Sequence, residues 1–168
     1  MKKKIVSIAL LVVFAFSLVG CAKYKEIDYK VFEDALEEVG FDDDEYYSTK
    51  NYGDYDRYVI ATDGNVTYRY MLFEDEDDAY DYFEDFYDDF ADAVSDRDFS
   101  GSSRRSLSRS HGFVLFNGEI DTRHWDSDIY GGVFYRGSMV IEVVASSDKK
   151  SDKSDVDEFL RALGFSHP

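Results

Sequence analysis

The sequence predicts an α+β fold: a two-layer sandwich in which an antiparallel sheet of about five strands carries three helices packed on it. Strand-like runs that flank short turn signals point to hairpins, and hairpins impose antiparallel pairing. Three other segments repeat apolar residues at helical spacing. With 14 Tyr, 14 Phe and 44% hydrophobic residues in 168, the chain has material for one apolar core.

The elements follow in order. Residues 29–40 read as a helix, with Asp28 as N-cap and Phe32, Ala35, Leu36 and Val39 on one face. Gly40-Phe41 ends it as a Schellman motif, with Gly in the left-handed position and Phe folding back toward Leu36. Residues 42–55 are acidic and aromatic without a clear period, a loop with room for one short strand. Residues 56–63 and 66–73 form a hairpin around Asp63-Gly64-Asn65. Asp75 caps a second helix, along which Ala79, Phe83, Phe86, Phe90 and Val94 make a core-facing stripe between carboxylates.

Residues 99–110 change in character: they hold Arg104, Arg105 and Arg109 among Ser and Gly, and no acid occurs from Phe99 through Asn117. They begin as a loop, and residues 107–116 make a strand that ends at an Asn117-Gly118 turn. Residues 129–135 and 139–146 form a second hairpin across Arg136-Gly137-Ser138. Residues 151–163 are the last helix, with Val156, Phe159, Leu160 and Leu163 inward. Its ending, Leu-Arg-Ala-Leu-Gly-Phe over residues 160–165, repeats Leu-Glu-Glu-Val-Gly-Phe over residues 36–41. Capping physics alone produces such a phrase, and internal duplication is the alternative.

The N-terminus is an address rather than part of the fold. Lys2, Lys3 and Lys4 precede an apolar run over residues 5–19, too short to span a bilayer comfortably. The run closes on Leu18-Val19-Gly20-Cys21, which resembles the lipobox of bacterial lipoproteins. That resemblance implies cleavage of a signal peptide over residues 1–20, lipidation of Cys21, a lipid-anchored tether over residues 21–28 and a single acidic domain over residues 29–168. The implied location is the outer face of the bacterial cytoplasmic membrane, with the membrane itself as a partner through the anchor on Cys21. Cys21 is the only Cys, so no disulfide can form within the domain.

From Tyr29 onward the layout is similar to small bacterial lipoproteins of the clostridial type, a family with no assigned activity. The shared features are an opening helix ending in Gly-aromatic, a Phe-rich helix after a hairpin, a late strand pair and a closing Leu-Gly-Phe. Of the family's late-strand polar pattern only Arg136 matches here.

Charge excludes one class of function outright. The chain carries 36 Asp plus Glu against 19 Lys plus Arg, a net charge of -17. Loss of Lys2, Lys3 and Lys4 with the leader leaves 16 basic residues and a charge of -20. Such a surface repels nucleic acid, and it repels anionic headgroups as well, so the domain is expected to stand off the membrane.

No cofactor or metal is called for. His111, His124 and His167 are isolated, and no second Cys is available for zinc. Asp126-Ser127-Asp128 begins like a calcium loop, but Gly137 stands where the closing acid belongs. No Gly-x-Ser-x-Gly motif is present. Arg104, Arg105 and Arg109 either bind an anionic ligand or pair with the acidic helix before them, the second reading being preferred. Trp125 is a binding aromatic or a core cap. The candidate ligand-binding residues are therefore Arg104, Arg105, Arg109, Trp125 and Arg136. They suit a non-enzymatic module that binds an extracellular protein or a small ligand. The rival is a small cell-envelope hydrolase using His111 or His124 with a carboxylate.

Overall fold

Met139, Val140 and Ile141 are consecutive and all buried, which requires a strand covered on both faces. In the computed structural model, which describes residues 26–122 and 125–168 with the Trp125 side chain excepted, that strand is central to the sheet. The chain runs α1 (Tyr29–Glu38), β1 (Tyr46–Tyr52), β2 (Tyr55–Thr62), β3 (Val66–Phe73) and α2 (Glu76–Asp96). It continues through β4 (Phe99–Ser108), β5 (His111–Thr122), β6 (Trp125–Arg136) and β7 (Met139–Ala145) to α3 (Lys150–Ala162). The seven strands lie in the order β1-β2-β3-β7-β6-β5-β4, so β1 and β4 are the edges. Every neighbouring pair is antiparallel.

Strand alternation divides the interior into two cores. Tyr68, Tyr70, Ile141 and Val143 meet Phe32 and Leu36 of α1 and Phe159 and Leu160 of α3. Met71, Phe73, Val133 and Val140 point the other way and meet Ala79, Phe83 and Phe90 of α2. Phe32 and Phe159 meet edge to face at 5.1 Å, and on the opposite side Phe83 stacks on Tyr135 at 5.6 Å. The α+β class therefore stands, with three helices and one antiparallel sheet. The expected two layers and about five strands are corrected to three layers and seven strands. The consecutive apolar residues 113–116 of β5 and 139–141 of β7 required a helix layer on each face.

Local physics at the helix ends matches the sequence. Asp28 Oδ1 accepts from the Lys30 amide at 2.9 Å, and Asp75 Oδ1 accepts from the amides of Asp77 and Asp78. Gly40 and Gly164 have φ of 98° and 74°, and the Phe41 and Phe165 amides reach back to the carbonyls of Leu36 and Leu160. Both repeated phrases are thus Schellman endings on the same face of the sheet. In the α2 stripe, Ala79, Phe83 and Phe90 are buried, Phe86 is half-buried, and Val94 is 37% exposed.

β1 fills the room left for one short strand in the segment otherwise read as a loop, whereas β4 departs from expectation and replaces the expected loop over residues 99–106. Asn117-Gly118 is not a turn but lies inside β5, where Gly118 faces Gly101 of β4. A Cβ on Gly118 would lie 2.8 Å from the Gly101 Cα and 3.0 Å from the Phe99 ring, so glycine is needed for close approach between strands.

Contacts with the domain begin before α1. Glu26 Oε1 accepts from the amide and hydroxyl of Ser138, both at 2.7 Å, and the Tyr70 hydroxyl donates to the Ile27 carbonyl at 2.9 Å. Cys21 and the rest of the leader lie outside the described residues.

Candidate functional site

β4 carries two arginines at successive positions, and a strand sends successive side chains to opposite faces. Register decides what each one joins. Arg104 pairs with Leu115, and Arg105 pairs with Val114. Leu115 belongs to the α1/α3 core and Val114 to the α2 core, so the arginines face different layers. Arg105 lies 5.3 Å above the Tyr87 ring of α2. Arg109, in the turn after β4, lies 4.3 Å above the Tyr80 ring and pairs with Asp77 at the start of α2. The preferred reading of the basic segment, pairing with the acidic helix, thus describes Arg109.

Arg104 takes part in a different arrangement. Cross-strand rows place Arg104 beside Leu115, Ser106 beside Phe113 and Phe134, and His111 beside Arg136. These residues share the α1/α3 face, beyond the part that α3 covers. The segment after α3 walls the surface: Phe165 stacks on Phe134 at 4.1 Å, and the Arg136 guanidinium lies 4.7 Å from the Phe165 centroid. Arg104 Nη2 donates to the His167 carbonyl at 2.8 Å. The result is a cleft of about 290 Å³ lined by Arg104, Ser106, His111, Phe113, Arg136 and Phe165.

Its charge is the reverse of the molecule's. No Asp or Glu is among the described residues that line the cleft. Asp157, the carboxylate 3.7 Å from His167 Nδ1, is engaged by the Tyr130 hydroxyl at 2.6 Å. Burial, and then that bond to Asp157, push the Tyr130 phenol well above its ordinary pKa. Two guanidiniums, an imidazole and aromatic walls suit an anion joined to an apolar body.

His111 lies within the cleft, with Nδ1 2.9 Å from Ser108 Oγ. The same hydroxyl donates to the His111 carbonyl at 2.6 Å, an arrangement that closes the β4–β5 turn. His124 lies outside the described residues. Among the described residues no group of three or more His, Cys, Asp or Glu is placed to hold a metal ion, and no helix is long and apolar enough to cross a membrane.

Of the residues singled out in the sequence, the fold brings together Arg104 and Arg136 and directs Arg105 and Arg109 to the other face. Trp125 starts β6, at the opposite end of that strand from Arg136. Sequence reasoning missed Phe113, Phe134 and Phe165 as site residues. The Gly-Phe phrase marked Phe165 as a helix-end residue, but only register places it against Phe134 and Arg136. Comparison of the chain with models of protein families, with curated proteins and with solved structures finds no match.

Proposed function

We propose that the protein is a lipid-anchored extracytoplasmic lipoprotein, held through Cys21 to the outer face of the cytoplasmic membrane, that serves as a non-enzymatic binding module for an anionic ligand. The observation that carries the binding reading is the Arg104–Arg136 cleft, lined by no Asp or Glu among the described residues in a chain of net charge -17. A site of that sign on so acidic a surface needs a reason, and anion capture supplies one. The anchoring reading rests on the basic start, the apolar run and the Leu-Val-Gly-Cys ending at Cys21.

The hydrolase reading draws on the same cleft through His111, but the imidazole there meets the Ser108 hydroxyl in a turn-closing contact, and the lining supplies no carboxylate among the described residues. Two measurements test the proposal. Intact mass and membrane partitioning in the native host should show a diacylated chain beginning at Cys21, with Cys21→Ala released or unprocessed. Titration calorimetry of the full chain in neutral detergent should show phenyl phosphate binding that Arg136→Gln weakens by roughly tenfold, the loss expected for a charge-assisted bond. An unmodified soluble chain overturns the anchor, and no phenyl phosphate binding overturns the site.

A further inference from the structure

The cleft opens beside a sheet edge with which no strand pairs among the described residues. β4 is ten residues long, has no Pro and no register shift, and residues 100–106 are exposed. Folded proteins ordinarily blunt such an edge with a bulge, a proline, lysines or a covering segment. The two-residue turn Arg109-Ser110 makes Ser108–His111 the hydrogen-bonded closing pair. By alternation, Arg104 and Ser106 bond to β5, while Ser103 and Arg105 direct their backbone N–H and C=O groups outward. Among the described residues the edge therefore presents a regular row of backbone groups with no bond to another segment.

Its charge selects the partner. No acid occurs from Phe99 through Asn117, and neither Arg104 nor Arg105 makes an ion pair among the described residues. A strand added to β4 would place one side chain on the α1/α3 face beside Arg104 and the next on the α2 face beside Arg105. We infer that β4 takes an extended acidic segment of a partner protein by strand addition, with adjacent carboxylates reaching Arg104 at the cleft and Arg105 behind it. This rests on the reading of the cleft as an anion site and names the ligand class. A second copy of this chain is the poorer occupant, because two surfaces of charge -17 repel.

The test uses the full chain in neutral detergent with fluorescein-labelled octapeptides of alternating Thr and Val around a central Asp-Glu. The Asp-Glu peptide should bind, a Lys-Lys version should not, and amide exchange should slow at Ser103 and Arg105. Ser103→Pro, which removes an outward donor and no ladder bond, should weaken the peptide by roughly tenfold or more and leave phenyl phosphate binding unchanged. A peptide N-methylated along its bonding edge makes the same test on the unaltered protein and should fail to bind. Equal binding of the N-methylated and plain peptides overturns the inference. So does protection confined to the cleft, or self-association through β4 without peptide binding. Loss of phenyl phosphate binding in the unaltered protein is a separate result that overturns the anion site itself.

Discussion

Arg104 and Arg105 are adjacent in sequence and lie on opposite faces of the sheet: one donates to the His167 carbonyl at 2.8 Å, the other sits 5.3 Å above the Tyr87 ring. A segment that reads as one basic patch is thus two separate features. For phenyl phosphate binding, Arg104→Gln should cost roughly tenfold while Arg105→Gln and Arg109→Gln leave the affinity within about twofold. Calorimetry on the three variants checks this, and equal losses in all three would mean a diffuse field rather than a cleft.

The α2 layer is tied to the sheet by a polar linkage as well as by its phenylalanines. Glu142 of β7 pairs with Arg69 of β3 and accepts from the Tyr82 hydroxyl of α2 at 2.6 Å. Burial first, and then the Glu142 carboxylate, push the Tyr82 phenol well above its ordinary pKa. Glu142→Ala should destabilise by about 2 kcal/mol or more, because it strands a half-buried guanidinium. Adding Arg69→Met should recover part of that loss in urea unfolding.

One carboxylate on α3 works against the fold. Burial, followed by the charges of Asp152, Asp63 and Glu158, raises the Asp155 pKa. A carboxyl with a raised pKa binds its proton more readily folded than unfolded, so its contribution is most favourable at low pH and is lost as pH rises through the raised value. Asp155→Asn should therefore stabilise the protein at pH 7 by about 0.5 kcal/mol. The gap between variant and parent should close below about pH 4, where both states of the parent hold the proton. Unfolding curves at several pH values give the sign directly.

α2 ends on a residue ill suited to its place. Arg97 has φ of 68°, and the Asp98 amide bonds back to the Ala93 carbonyl, the geometry that glycine fills after α1 and α3. Arg97→Gly should raise stability by about 0.5–1 kcal/mol, since the left-handed strain exceeds the extra entropy of glycine in the unfolded chain. A lower midpoint in thermal or urea unfolding would contradict this.

The three helices, the N-caps Asp28 and Asp75, both glycine endings and the hairpins at Asp63-Gly64-Asn65 and Arg136-Gly137-Ser138 were determined by the sequence alone. Capping, turn formation and amphipathic periodicity act over a few residues, so the local chain carries their signal. Of the edge strands, β1 was legible only as room for one short strand and the start of β4 not at all, because both owe their conformation to the backbone groups of β2 and β5 more than to buried side chains. An exposed run such as Ser-Gly-Ser-Ser-Arg-Arg-Ser has no apolar alternation to read. Tertiary structure also decided that α2 packs opposite α1 and α3, and that Asn117-Gly118 serves close approach rather than a turn. The cleft exists only through register: Arg104, His111, Arg136 and Phe165 come from three strands and the segment after α3, and no local rule aligns them. A one-residue slip of β4 would exchange the faces of Arg104 and Arg105, and the pairing that prevents it belongs to the sheet.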